Sequence, residues 1–420
     1  MIRKLLQTDL VKDNLVLFLG TLILNIFGFL YHFYMGRALG PEHYGALGAA
    51  LSILYIMNVP LNTVQTGIAN FASVYKVQGE LGKLKYLFFK SLKRLILFGI
   101  LGLIIFLALT PFISRFLHLE LSTLFVLSSF MILTLLLPLV RGVLQGIQDF
   151  KNLSINLVVE GLLKFSIGII LVIFGYKVNG AIGALVVSYV VAFLIGLKPL
   201  HKLLKQPSIK TNTKEVYKYT MPVLLMLLSL TIFYSIDIIL VKHFFSDVDA
   251  GYYSAISLIG KIIFFGSLSI SQVMFPKSAE LYQSGKATKP LLYKSLGIIS
   301  LFVIPAILIY FFIPRFIVNL LYGSAYLPIV PFIGWFGLFI GLVSFVYLIS
   351  FYQISIHKRK FLFVLFFFNI LEIAGIWFFH ASLFQVIQVL FIITFLLLLV
   401  LIIEVIISKD GKTQHRHSSV

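Results

Sequence analysis

Stretches of about 20 mostly apolar residues recur along this chain from Asn14 almost to Ser408, and no other feature constrains its fold as strongly. Wound as an α-helix at about 1.5 Å per residue, each stretch matches the thickness of a bilayer's hydrocarbon core. Backbone polar groups in hydrocarbon need partners within their own segment, so the spans must be helices. About twelve spans are expected, at roughly 14–36, 45–71, 95–117, 119–140, 153–176, 178–198, 219–242, 250–275, 291–313, 325–351, 361–382 and 384–407. No soluble domain fits between them. Composition agrees: of 420 residues, 60% are hydrophobic and only 12% charged, with a mean hydropathy of +1.04. The first apolar stretch is too long for a removable signal peptide and lacks a small-residue cleavage site, so Met1 reads as the mature start. The absence of cysteine excludes disulfides, thiol catalysis and thiolate metal sites.

The formal net charge of +19 suggests a nucleic-acid partner only until its placement is followed. With a cytoplasmic N-terminus, 27 of the 34 Lys and Arg residues fall in cytoplasmic segments. The outer loops hold Arg37, Arg115, Lys177, Lys242 and Arg315, and Lys164 and Lys261 lie inside spans. That asymmetry places both termini in the cytoplasm of a multi-pass inner-membrane protein. The basic loops Lys76–Arg94 and Lys198–Lys218 therefore set topology and attract anionic headgroups. In the polar tail Lys409–Val420, His415 and His417 are too isolated to form a metal site, and no cofactor is expected.

The chain repeats itself. An ungapped offset of 206 residues pairs Leu19 with Leu225, Phe27 with Phe233, Gly45 with Gly251, Ala49 with Ala255, Ile53 with Ile259 and Gly79 with Gly285. Six spans per half is an even number, so the halves are parallel repeats. The expected fold is all-α: two six-helix bundles, residues 1–205 and 206–408, around a central cavity, with a cytoplasmic tail at 409–420.

At the first outer turn the sequence reads Gly36-Arg37-Ala38-Leu39-Gly40-Pro41-Glu42-His43-Tyr44-Gly45. Three further segments join it: Arg141–Phe150 (RGVLQGIQDF), Gly175–Gly183 (GYKVNGAIG), and Tyr234-Ser-Ile-Asp237 followed by Ala250-Gly-Tyr-Tyr253. Together they resemble polysaccharide transporters of the multidrug/oligosaccharidyl-lipid/polysaccharide (MOP) flippase superfamily. The resemblance thins after about Lys294, and none of its motifs is catalytic. It implies movement of a polyisoprenyl-pyrophosphate-linked oligosaccharide from the cytoplasmic to the outer leaflet.

Read without the family, the first turn breaks a helix at Gly40-Pro41 and places Glu42 near the next helix N-terminus, where an anion is favoured. Arg37 either snorkels to headgroups or meets a substrate phosphate. Ionisable groups inside spans each need a partner or a polar cavity. Glu160 and Lys164, at i and i+4, either neutralise one another or leave Lys164 for an anionic headgroup. Lys261 lies near mid-span, facing the cavity or paired with Asp237 or Glu372. Asp237, Glu160 and Glu372 are counter-ion or coupling-ion candidates. Span 2 carries Tyr55, Asn58, Asn62 and Gln65 at helical spacing, a polar stripe for the cavity. Ser267, Ser269, Ser271 and Gln272 answer it from span 8, where serines also serve as packing glue.

No GxxxxGK[ST] loop is present, so direct ATP coupling is not expected and a Na+ or H+ gradient, the membrane potential or product removal supplies direction. A multidrug or small-solute antiporter of the same superfamily is the alternative. An enzyme acting on sugar chains needs acid/base groups or nucleophiles in an accessible loop, and the outer loops are short. An idle scaffold has no use for buried charge.

Overall fold

The computed structural model describes the backbone of residues 9–211 and 214–407, and side chains at 15–59, 63–201, 203–211 and 221–407. The tail from Lys409 with its two histidines, and the side chain of Asn62, lie outside the described residues. Among the described residues there is no strand.

The helices are α1 (Asp9–Val77), α2 (Leu81–Leu117), α3 (Leu121–Gly146), α4 (Phe150–Ile173), α5 (Lys177–Leu197), the one-turn α6 (His201–Leu204), α7 (Lys214–Ile232), α8 (Ile236–Phe244), α9 (Asp247–Gln283), α10 (Lys289–Phe312), α11 (Pro314–Leu321), α12 (Val330–Ser355), α13 (Phe361–Phe378) and α14 (Leu383–Ile407). Among the described residues, eleven helical segments are long and apolar enough to cross a membrane, counting residues 221–244 as one. The first of them contains two crossings, because Gly40 interrupts α1 with φ 67° and ψ 173°. That backbone suits a residue without Cβ, and Pro41 then restarts the helix with a fixed φ. Twelve crossings result, as expected.

Two compact units divide the chain at Met221–Pro222, inside α7. In the first, residues 9–39 of α1 pack against α4, and residues 41–77 pack against α3. Helix α3 also packs on α2 and α5, and α4 on α5. The second unit repeats the scheme: α12 packs against α9, α10 and α14, and α13 against α8 and α14. The two repeat glycines close the same structure. Gly79 (φ 70°) and Gly285 (φ 66°) follow α1 and α9, with Glu80 N–H donating to Tyr75 O at 2.8 Å and Lys286 N–H to Leu281 O at 2.9 Å. Both are left-handed glycine caps whose hydrogen bonds run five residues back.

Three elements depart from the expected spans. Helix α2 begins at Leu81, so most of the basic loop Lys76–Arg94 is helical, with Leu84, Leu87, Phe88 and Leu95 buried beneath its lysines. Span 7 is broken at 233–235, where Tyr234 and Ser235 N–H donate three residues back, to Thr231 and Ile232. The connection from α10 to α12 carries α11 and a 3-10 turn, Ser324–Ile329, folded over buried Tyr322 and Tyr326. Large exposed side chains such as Leu97, Phe98, Leu301, Phe363 and Phe367 face outward along the helices, the arrangement a lipid solvent requires.

Candidate functional site

The polar core of the first unit is built across α1, α3, α4 and α5. Glu160 is buried and ion-pairs with Arg141, which also donates from Nε to Asn156 Oδ1 at 2.8 Å. Asn156 Nδ2 in turn donates to Ala192 O of α5 at 2.5 Å. Arg141 belongs to α3 and is buried, one residue beyond the expected span 119–140, and it takes the Glu160 carboxylate from the neighbouring helix, so that Glu160 pairs with Arg141 rather than with Lys164. A guanidinium fits here because its planar fork serves an amide and a carboxylate together.

Lys164, one turn beyond Glu160, lies with Nζ 5.6 Å from the ring centre of Tyr31. Tyr31 is fully buried and donates to Ala181 O at 2.9 Å. Its neighbour His32 spans the kink in α1, with Nδ1 3.3 Å from Tyr44 Oη and Nε2 3.3 Å from Tyr55 Oη. The span 2 stripe is thus partly engaged within the unit: Tyr55 meets His32, Gln65 Nε2 donates to Gln145 Oε1 of α3 at 3.1 Å, and Asn58 is half-buried. Arg37 is exposed at the Gly40 turn.

In the second unit the break before α8 sets the chemistry. It places Asp237 in the first turn of a new helix, where free N–H groups favour an anion. The carboxyl is fully buried and its Oδ2 accepts from Tyr253 Oη of α9 at 2.9 Å. Glu372 of α13 is equally buried and near enough to Asp237 for their charges to repel. Asn369 lies one turn before it on the same face. Oδ1 of Asp237, both carboxyl oxygens of Glu372 and the amide of Asn369 have no hydrogen-bond partner among the described residues. Lys261 is buried in α9, with Nζ 5.5 Å from the ring centre of Tyr234 and close enough to Asp237 to attract it. Ser267 donates to Phe264 O of its own helix at 2.8 Å, the packing role, while Ser269 and Gln272 are exposed.

Sequence reading missed Arg141, His32, Tyr253 and Asn369. Asn369 had a signal, its place three residues before Glu372. Arg141 and Tyr253 stand in the quoted motifs, which assign them no role, and for them as for His32 the partners lie 12 to 23 residues away with no helical periodicity between them.

Known proteins share both pattern and architecture. The family model described as polysaccharide biosynthesis protein matches residues 10–282. An uncharacterized membrane protein of Methanocaldococcus jannaschii is 25% identical over 290 residues, 64% of this chain and 68% of that protein. Among solved structures, an inward-facing multidrug resistance MATE family transporter of the MOP superfamily has a TM-score of 0.75 at 14% identity, covering 91% of this chain and 94% of that one. An outward-facing member of the same transporters has a TM-score of 0.67 at 16% identity, with 96% of each chain covered. A MOP superfamily transporter from Pyrococcus furiosus, described by the reverse polarity of its binding pocket, has a TM-score of 0.64 at 16% identity over 94% of this chain and 95% of that one. With the family's pattern running from residue 10 as far as Tyr282, this chain belongs to the polysaccharide biosynthesis protein family, and over more than nine-tenths of its length it has the fold of the MOP superfamily transporters it resembles.

Proposed function

We propose that this protein is a flippase, carrying an oligosaccharide linked to a polyisoprenyl pyrophosphate across the cytoplasmic membrane by alternating access, with residues 1–205 and 206–408 as its functional halves and both termini in the cytoplasm. The observation that carries this reading is the pair of lysines held inside the spans, one per unit: Lys164 on the Tyr31 ring and Lys261 on the Tyr234 ring. An ammonium at that depth is costly, and resting on an aromatic face stabilises it without neutralising it. Such a cation suits a passing pyrophosphate and repels a cationic drug. Arg37, Asn58, Asn62 and Gln65 supply further groups for phosphate and sugar, while the lipid tail remains in the bilayer. Membership of a polysaccharide biosynthesis family supports the sugar.

Asp237 and Glu372 supply the coupling. Two buried carboxyls within electrostatic reach of one another are accommodated by sharing a proton or by binding a cation. The unpartnered Asn369 amide, a neutral oxygen donor one turn from Glu372, favours bound Na+ over a shared H+. Glu160, neutralised by Arg141, serves as a structural counter-ion.

The test is reconstitution in liposomes with a fluorescent polyisoprenyl-pyrophosphate sugar, scoring exposure on the opposite leaflet for wild type and Lys261→Gln. The expected result is movement by wild type that falls at least tenfold in the variant. Movement indifferent to Lys261 removes the lysine from the path. No lipid movement, with gradient-driven uptake of a small organic cation, replaces the flippase by an antiporter.

A further inference from the structure

At the end of the second unit opposite its basic loops, four rings from two elements stack on one another. The ring of His243 lies 5.8 Å from that of Trp377 and nearly parallel to it, at 21°. Phe244 meets Trp377 edge-on at 5.1 Å, and the ring of His380 lies flat on Phe244 at 3.8 Å and 16°. His380 is itself tied to α13, with Nδ1 3.1 Å from Ile376 O. The stack therefore joins the last turn of α8 to the last turn of α13. The same two helices carry Asp237 and Glu372.

The spacing along the helices makes this juxtaposition consequential. Asp237 precedes the ring pair of α8 by six and seven residues, and Glu372 precedes Trp377 by five. At about 1.5 Å per residue these are roughly 9–10 Å and 7–8 Å, in helices that run in the same direction. The rings thus lie one level above the carboxyls on both helices. Helix α8 has only nine residues and is severed from α7 by the turn at 233–235, so its tilt is set by what holds its ends. One end is held by Tyr253 on Asp237 and the other by the rings. Trp and Phe here would serve an interfacial belt as well, but a belt does not require two imidazoles laid flat on aromatic faces.

We propose that the stack of His243, Phe244, Trp377 and His380 is a proton-sensitive clamp that fastens α8 to α13, positions Asp237 opposite Glu372, and so makes Na+ binding at that pair respond to pH at this end of the bundle. The clamp rests on the reading of Asp237, Glu372 and Asn369 as a cation site. Histidine is the side chain that ordinarily changes charge between pH 5 and 8, and an imidazolium is attracted to an aromatic face more strongly than an imidazole. The other charged and titratable groups around α8 are Lys242, ion-paired with Asp247; Asp249, bonded to Ser246; and, deeper, Tyr253 and Lys261 of α9. Lys242 and Asp247 neutralise one another beside the stack. By linkage, if protonation tightens the clamp and the clamp favours Na+, then Na+ must raise the midpoint of the histidine transition. Charge repulsion alone would lower it, so the sign separates the two.

The chain carries its own reporter, because its two tryptophans are Trp335 and Trp377. In a full-length Trp335→Phe protein in nanodiscs, Trp377 emission should fall from pH 8 to pH 5 as a protonated His243 quenches it, and His243→Phe should abolish the transition. Replacing choline by Na+ should raise the midpoint by about 0.5–0.7 pH units, the linkage counterpart of a roughly three- to fivefold gain in affinity. Calorimetry should show Na+ binding weakened about fivefold by Phe244→Ala and restored by Phe244→Tyr. No transition, or one that survives His243→Phe, overturns the clamp. Na+ binding with an unmoved or lowered midpoint overturns the positioning while leaving the cation site intact. Failure of the wild-type protein to bind Na+ removes the cation site itself, and the clamp's role with it.

Discussion

Arg141 and Glu160 show how a buried ion pair in this chain differs from a surface one. Both lie inside the helix pack, and the guanidinium also serves Asn156, whose amide reaches on to the α5 backbone. Removing one partner leaves an uncompensated charge in a low-dielectric interior. Arg141→Ala should therefore lower stability by about 3–5 kcal/mol, whereas the double variant Arg141→Met/Glu160→Met, which leaves no charge unpaired, should cost much less. Denaturation in detergent micelles measures both; equal losses would mean that volume rather than charge governs the site. The repeat adds a contrast at the same scale. At the offset that aligns Gly79 with Gly285, Tyr31 and Tyr55 of the first unit correspond to Asp237 and Lys261 of the second. One scaffold position thus carries a phenol in one half and an ionisable group in the other, and the two halves are chemically unequal.

At the scale of elements, close approach is set by small residues. Gly142 and Gly146 of α3 face Gln65, Ile68, Ala69 and Ala72 of α1, and a Cβ on Gly146 would stand 2.4 Å from both Ala69 O and Ala72 Cβ. This is the close-packing geometry of a Gly-x-x-x-Gly face, and it explains the two glycines of RGVLQGIQDF. Gly146→Leu must push the helices apart, and should cost about 2–4 kcal/mol of stability and reduce the folded yield in membranes. A melting temperature within a degree or two of wild type would refute that packing. The same helix pair carries Arg141 and Gln145, so the glycines bring α3 near enough for Gln145 to accept from Gln65.

Across the whole molecule, basic residues gather at the ends of the helices where α1, α3, α9 and α12 finish and α2, α4, α10 and α13 begin. There Lys76 donates to Ile147 O at 2.6 Å, Lys85 to Gln206 O at 2.8 Å, and Lys83 pairs with Glu80 at 2.6 Å. Single cysteines at positions 83 and 214 are expected to react with a membrane-impermeant reagent only from the cytoplasmic side of intact cells. Reaction from outside would invert the topology. The segment after α6 is held at this end as well, since Ile209 N–H donates to Gly82 O at 3.1 Å and Tyr75 Oη lies 3.0 Å from Thr211 Oγ1.

What the amino-acid sequence determined alone was everything the bilayer reads in one dimension. Span count, helical class and basic asymmetry follow from hydrophobic length and charge position. The repeat and the Gly40 break follow from glycines that few other residues can replace. Lys164, Lys261, Asp237 and Glu372 were legible as groups out of place in hydrocarbon. Which partner each one met was not. In a lipid solvent both faces of a helix are apolar, so hydropathy does not record how the helix is rotated or what it packs against. Only the tertiary structure decided that Glu160 turns to Arg141 and not to Lys164, that span 7 breaks to put Asp237 at a helix N-terminus, and that rings of α8 close on rings of α13. Those choices depend on helix rotation and register across segments distant in the chain, which no local spacing encodes.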